Sequence, residues 1–84
     1  MYVKISSLRR IKQRTTYPQG ANSPTIITKY VCLCKWGRIV EENTIGFDDH
    51  FVTLTCRRCL KQYHPFIDII GDEFKFYPKN EQIR

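Results

Sequence analysis

The feature that most constrains the fold of this chain is two close pairs of cysteines. Cys32 and Cys34 are separated by one residue, Cys56 and Cys59 by two, and 21 residues lie between the pairs. A stretch of that length lets the chain leave as a strand and return, so that all four thiols meet. Four thiolates that meet in this way form a tetrahedral site that suits Zn²⁺. The spacing therefore predicts one structural zinc ion bound by all four cysteines.

The size of the chain makes such a metal important for folding. A domain of 84 residues buries only about 60% of the surface that its unfolded chain exposes, so its core alone is marginal. Structural zinc in finger peptides binds with about 10–16 kcal/mol, which is as large as the whole stability of a typical domain, about 5–15 kcal/mol. We expect the metal to decide whether the chain folds.

The location of the protein is predicted from what its sequence lacks. Its first residues contain no apolar run of about 7–15 residues of the kind that secretory signals carry. No segment approaches the roughly 20 apolar residues of a membrane helix. We therefore expect a cytoplasmic protein without a membrane partner, in which the thiols stay reduced and favour zinc over disulfides.

Charge is distributed unevenly along the chain. The net charge is +6, but residues 1–40 hold eight basic and no acidic side chains, whereas residues 41–84 hold six basic and eight acidic ones. Such asymmetry indicates contact with nucleic acid or another polyanion, although a solvated surface segment would also explain it.

Composition along the chain predicts a small all-β domain of antiparallel hairpins. Residues rich in β-branched and aromatic side chains predict strands over 25–32, 38–45 and 51–56 and over two shorter runs at 66–70 and 74–77. Residues 1–14 fit a short helix or a strand equally well, and residues 15–24 have the prolines and small polar residues of a linker. We therefore predict a basic N-terminal segment and linker over 1–24 and a β domain with a C-terminal hairpin over 25–84.

The cysteine pattern resembles that of a four-cysteine zinc ribbon over about residues 29–62. Cys56 and Cys59, followed by Leu60, match a zinc knuckle, the β-hairpin turn that offers two thiolates to the metal. Cys32 and Cys34 depart from the ribbon pattern because only one residue separates them, and Gly37 after them suggests an altered knuckle. The resemblance implies a structural zinc and a role in binding either nucleic acid or protein.

Other chemistries remain open at the sequence level. His50 or His64 can replace one cysteine in a site of three thiolates and one imidazole, or no metal is bound at all. A redox role for Cys56 and Cys59 is disfavoured, because the sequence lacks the helix and the βαβ unit that accompany thioredoxin-type motifs. Asp48 and Asp49 before His50 resemble the Asp-His stretch of certain endonucleases, but too few residues follow for the remaining ligands. We predict no enzymatic activity and no small-molecule substrate.

Basic and aromatic residues near the cysteines are candidates for nucleic-acid contacts. Arg57 and Arg58 lie between the second pair, where a bound metal would fix both guanidinium groups for phosphate contact. The full predicted set is Arg57, Arg58, Lys35, Arg38, Lys61, Arg9, Arg10, Lys12 and Arg14. Trp36, the only tryptophan, is expected to fill the core, with stacking on a base as the alternative.

These patterns predict a regulatory zinc-binding module associated with nucleic acid. The alternative is a protein-binding adaptor or inhibitor with a purely structural zinc, which docks through the apolar run from Phe66 to Ile70.

Overall fold

The computed structural model describes residues 1–17, 23–46 and 50–80. Its strands are β1 (Tyr2–Lys4), β2 (Arg10–Thr16), β3 (Thr25–Val31), β4 (Arg38–Thr44), β5 (His50–Leu54), β6 (Tyr63–Ile70) and β7 (Glu73–Pro78), with 3₁₀ turns at Ile5–Ser7 and Cys59–Lys61. They form one antiparallel sheet in the order β1-β7-β6-β5-β4-β3-β2. The predicted all-β class and its antiparallel hairpins are confirmed, and the described residues contain no α-helix.

The sheet has to curl because of how β1 and β2 are connected. They form its opposite edges, yet only residues 5–9 separate them along the chain. Seven strands laid flat span about 29 Å at roughly 4.8 Å per strand spacing, whereas that connection reaches about 20 Å when fully extended. The sheet therefore closes into a half-barrel, and Ile5 and Leu8 in the connection pack against its core.

The concave face of the sheet forms the core. Strand side chains alternate between faces, so residues paired across neighbouring strands share a face. Val52 pairs with Ile67 and Ile67 pairs with Phe76, which places all three in one row of the concave face. The largest fully buried side chains are Phe74, Phe76, Ile39, Leu54 and Val52. They come from β4, β5 and β7, and Tyr30 of β3 and Ile67 of β6 are buried beside them. All five of these strands were predicted from the sequence.

The N-terminal residues form strands, one of the two structures that the sequence allowed. β1 pairs with β7, and the basic run lies in β2, which pairs with β3. The predicted linker begins too early, since Thr15 and Thr16 pair with β3 as part of β2. Its residues 18–22 and the polar tail at 81–84 lie outside the described residues. The division near residue 24 stays a prediction, although β1 and β2 belong to the same sheet as the rest.

The fold brings both cysteine pairs to one end of the sheet. The first cysteine turn, residues 32–37, connects β3 to β4, and the second cysteine turn, residues 55–62, connects β5 to β6. Because β3 and β5 run in the same direction and only β4 lies between them, the two turns lie side by side. We call this end of the sheet, where the two turns lie, the cysteine end. In the described part of the chain, no helix has the length and apolar character needed to cross a membrane.

Candidate metal centre

The four cysteine thiols converge between the two turns. The Sγ atoms of Cys32 and Cys59 are 3.1 Å apart, those of Cys34 and Cys56 are also 3.1 Å apart, and all four lie within 4.8 Å of one another. All four cysteines are free thiols. A tetrahedral site with Zn–S bonds of about 2.3 Å has S–S edges of about 3.8 Å, inside the range of these distances. The four cysteines are therefore positioned to bind one metal ion.

The first cysteine turn is tight because a single residue separates its two cysteines. The backbone N–H of Lys35 donates to the carbonyl of Cys32 over 2.8 Å, and the N–H of Cys32 donates to the carbonyl of Gly37 over 3.0 Å. Lys35 adopts a φ of 69°, the only positive φ of a non-glycine residue in the described chain. This left-handed conformation costs a side-chain-bearing residue about 1–2 kcal/mol. The left-handed residue turns the chain back, so that the carbonyl of Gly37 reaches the N–H of Cys32.

Gly37 is the point where the two cysteine turns touch. A Cβ atom at this position would lie 2.6 Å from the Cα and 2.5 Å from the Sγ of Cys56. Ordinary carbon–carbon contacts are about 3.5–4.0 Å, so only glycine allows the first turn to approach Cys56. The sequence marked Gly37 as unusual, but only the fold reveals that its neighbour is one of the four clustered cysteines.

The second cysteine turn is closed by backbone hydrogen bonds. The N–H of Leu60 donates to the carbonyl of Cys56 over 2.9 Å, and the N–H of Gln62 donates to that of Cys59 over 3.0 Å. Lys79 then donates its N–H to the carbonyl of Gln62 over 2.8 Å, which ties the turn to the end of β7. The second pair is therefore anchored on two strands, β6 and β7.

Burial and mutual contact set the ionisation of the thiols. Burial is the main reason that the pKa values of Cys32 and Cys59 are raised. The pKa of Cys34 is lowered to about 7, chiefly by its hydrogen bond with the Cys56 thiol and then by the backbone N–H of Trp36. Four thiolates at these distances repel one another, and a bound dication offsets that repulsion. The donor set therefore fits a soft divalent metal.

Neither histidine of the chain belongs to this cluster. His50 Nε2 lies 2.6 Å from a carboxylate oxygen of Glu41, and the other oxygen of Glu41 accepts the hydroxyl of Tyr30 over 3.0 Å. His64 Nε2 is buried without a hydrogen-bond partner among the described residues. The mixed site of three thiolates and one imidazole therefore has no support in this geometry.

The endonuclease alternative depended on two residues before His50. Both Asp48 and Asp49 lie outside the described residues, so that part of the motif stays untested. The contact of His50 with Glu41 was not predicted, because the two residues meet only through the pairing of β4 with β5.

Seven of the nine basic residues predicted to contact nucleic acid lie at the cysteine end. Arg57, Arg58 and Lys61 belong to the second cysteine turn, and Lys35 belongs to the first. Arg38 is the first residue of β4, Arg10 is the first residue of β2, and Arg9 immediately precedes it. A shallow cavity of about 300 Å³ is lined in part by Arg9, Arg10 and Arg38. Lys12 and Arg14 lie farther along β2, opposite Lys29 and Ile27 of β3.

Trp36 does not fill the core, so that prediction is wrong. Its side chain is 71% exposed, because the first cysteine turn projects beyond the end of the sheet. The guanidinium carbon of Arg58 lies 4.8 Å from the centre of its ring, a distance typical of a cation–π contact. Residues of both cysteine turns therefore meet on the outside of the site as well as at its thiols.

Comparison with protein-family models, curated proteins and solved structures found no match for this chain. The likeness to a zinc ribbon rests on the cysteine pattern and on the two hairpin turns that carry it.

Proposed function

We propose that this chain is a zinc-binding β domain of the zinc-ribbon type that contacts nucleic acid through its cysteine end. The observation that supports this most is that the cysteine cluster lies beside a surface with basic side chains and no acidic ones. Residues 1–17, 32–38 and 55–62 contain no acidic side chain. Asp72, in the turn between β6 and β7, and Glu73, the first residue of β7, lie at the opposite end of the sheet. Such a field attracts a polyanion to one end of the molecule.

Zinc is the metal that we propose for the site, and its role is structural. Four thiolates select soft or borderline metals, and closed sites of four cysteines are typical of structural zinc. The zinc would stabilise the fold and hold the two turns together, without any part in catalysis, in a cytoplasmic protein whose thiols stay reduced.

Metal analysis of the purified protein tests this assignment. We expect one zinc per chain and loss of the β-sheet signal in circular dichroism when a strong chelator removes the metal. A well-folded sample with substoichiometric metal would contradict it.

Phosphate contacts by the cysteine end are the second part of the proposal. Arg57 and Arg58 are exposed on a turn that the metal would make rigid, and guanidinium groups fixed in this way suit phosphate oxygens. About five such contacts to a duplex give a slope of roughly −4 to −5 for log K against log salt concentration.

Fluorescence anisotropy with labelled oligonucleotides measures this slope. Arg57→Ala should weaken binding and make the slope shallower by about 0.9 for one lost duplex contact. Lys4→Ala is the matched control, because it removes the same charge from β1, where Lys4 pairs with Glu73. Absence of binding at low salt, or equal effects of the two substitutions, would refute the proposal.

A second candidate function, protein docking, is favoured by two exposed aromatic side chains. Phe51 and Phe66 are 55% and 53% exposed and line a cavity of about 400 Å³ together with His50 and Asp68. Phe74, by contrast, is fully buried, so only the outer face of the hairpin formed by β6 and β7 can contact a partner.

The docking alternative is tested with a variant that disturbs the surface alone. Phe66→Glu should abolish capture of a protein partner while leaving zinc content and nucleic-acid affinity unchanged. Undiminished capture by this variant would exclude the face formed by Phe51 and Phe66.

A further inference from the structure

Trp36 is the largest side chain of a small domain, and it lies outside the core. Aromatic side chains dominate the burial that stabilises domains of this size, yet Trp36 is 71% exposed. No stabilising role in the core explains its position. Its placement on a turn that holds two of the four cysteines makes it part of the surface at the cysteine end.

Arg58 contacts the indole ring of Trp36. Its guanidinium carbon lies 4.8 Å from the ring centre and covers one face of the ring, so the large exposed area of the ring includes the opposite face. The pair joins the first cysteine turn to the second, and a metal held between the turns would fix the backbone positions from which both side chains extend. Little conformational freedom would then be lost when a flat ligand stacks on the free face.

The charges beside the ring restrict the chemistry of that ligand. Lys35 and Arg57 adjoin Trp36 and Arg58 in sequence, both are exposed, and neither cysteine turn contains an acidic residue. An aromatic ring flanked by cations suits a flat, π-bonded group attached to an anionic backbone. The bases of a duplex are stacked inside it, whereas an unpaired base offers a free face.

We infer that Trp36 and Arg58 form a stacking site for one unpaired base of single-stranded nucleic acid, with Lys35 and Arg57 contacting the adjoining phosphates. The inference rests on the proposed function and narrows it to single-stranded nucleic acid, since contact with phosphates alone would not distinguish single-stranded from double-stranded nucleic acid.

The single tryptophan of the chain is a reporter located at the site itself. The zinc-loaded protein is titrated at low salt with a fluorescein-labelled 12-residue oligothymidine and with a labelled duplex of the same length. Oligonucleotide anisotropy reports binding, and tryptophan fluorescence of matched unlabelled titrations reports stacking. We expect the single strand to quench Trp36 and the duplex to bind without comparable quenching.

Substitutions separate stacking from charge. Base–aromatic stacking contributes about 1–3 kcal/mol, so Trp36→Ala should weaken single-strand binding by about 5- to 150-fold and leave duplex binding within about 2-fold. Trp36→Phe should recover part of the loss because it restores an aromatic face. Phe66→Ala, which removes another exposed aromatic side chain, 53% exposed on the outer face of β6, should change neither affinity.

The outcomes distinguish the two levels of the proposal. Binding of both oligonucleotides with equal affinity, no quenching and no effect of Trp36→Ala would overturn the stacking site and leave the nucleic-acid function standing. Failure of the zinc-loaded protein to bind either oligonucleotide at low salt would overturn both.

Discussion

Replacing Gly37 with alanine adds one methyl group at the contact between the two cysteine turns. The new Cβ atom would lie 2.6 Å from the Cα of Cys56 and 2.5 Å from its Sγ. Carbon atoms in contact are about 3.5–4.0 Å apart, so the turns must separate by about 1 Å. The nearest atom, the Cβ of Cys56, and the Cα behind it at 2.6 Å are fixed by the backbone and cannot rotate out of the way.

The size of the effect follows from the tolerance of a metal site. Metal–ligand distances vary by only about 0.2 Å, so a separation of about 1 Å removes at least one thiolate from the metal. If about 10–16 kcal/mol of zinc binding is shared by four ligands, one ligand contributes about 2.5–4 kcal/mol. We therefore expect Gly37→Ala to weaken zinc binding by about 100- to 1,000-fold.

Competition with a chromophoric chelator measures the zinc dissociation constant of each variant. Gly71→Ala is the matched control, because Gly71 has a φ of +60° and its added Cβ meets no atom within 4 Å. That substitution strains the turn between β6 and β7 by about 1–2 kcal/mol and should leave the zinc affinity unchanged. Wild-type zinc affinity in Gly37→Ala would refute the close contact of the two turns in the metal-bound protein.

Three further predictions concern the buried phenol of Tyr30, the packing of the core and the first cysteine turn. The pKa of Tyr30 is raised to about 12 by burial and then by its hydrogen bond to Glu41, so its stabilising contribution is complete below about pH 10 and disappears as the pH rises through that raised pKa. An ultraviolet titration of the wild type minus Tyr30→Phe should show this phenol ionising near pH 12, and ionisation near pH 10 would contradict the burial. Phe74→Ala should cost about 3–5 kcal/mol in denaturant unfolding, and Phe66→Ala, at an exposed position, less than about 1 kcal/mol; equal losses would contradict the assignment of faces. Lys35→Gly should raise the free energy of unfolding by about 1 kcal/mol by relieving the positive φ, with zinc content unchanged, and destabilisation would show that the turn does not hold this strain.

The convergence of the four cysteines could be predicted from the sequence because its signal is local. The spacing within each pair and the length between the pairs are enough to indicate convergence, and the structure brings all four thiols within 4.8 Å. The strands β3 to β7 were also predictable, since alternation and turn residues act over a few positions. Gly71 illustrates this: a two-residue hairpin turn requires a positive φ, which glycine adopts readily, and Gly71 has one.

Features that depend on distant contacts could not be predicted in this way. β1 is a strand because it pairs with β7 at the far end of the sequence, and no local pattern separates it from a short helix. Trp36 was expected in the core because large aromatic residues of small domains usually lie there, but its position in a projecting turn overrides that tendency. Gly37 is restricted by Cys56, which only the assembled turns bring close.

The pairing of β1 with β7 also bears on the order in which the chain assembles. Met1 and Phe76 are 75 positions apart in the chain, whereas Cys32 and Cys59 are only 27 apart. Closing the longer loop costs about 0.9 kcal/mol more in chain entropy, and β1 offers only three residues in return. If the four cysteines bind the metal as proposed, its capture by residues 32–59 would precede the pairing of β1 and would shorten the remaining loop that β1 has to close. The ion would then act as a folding nucleus, and docking of β1 would be the late step that closes the half-barrel.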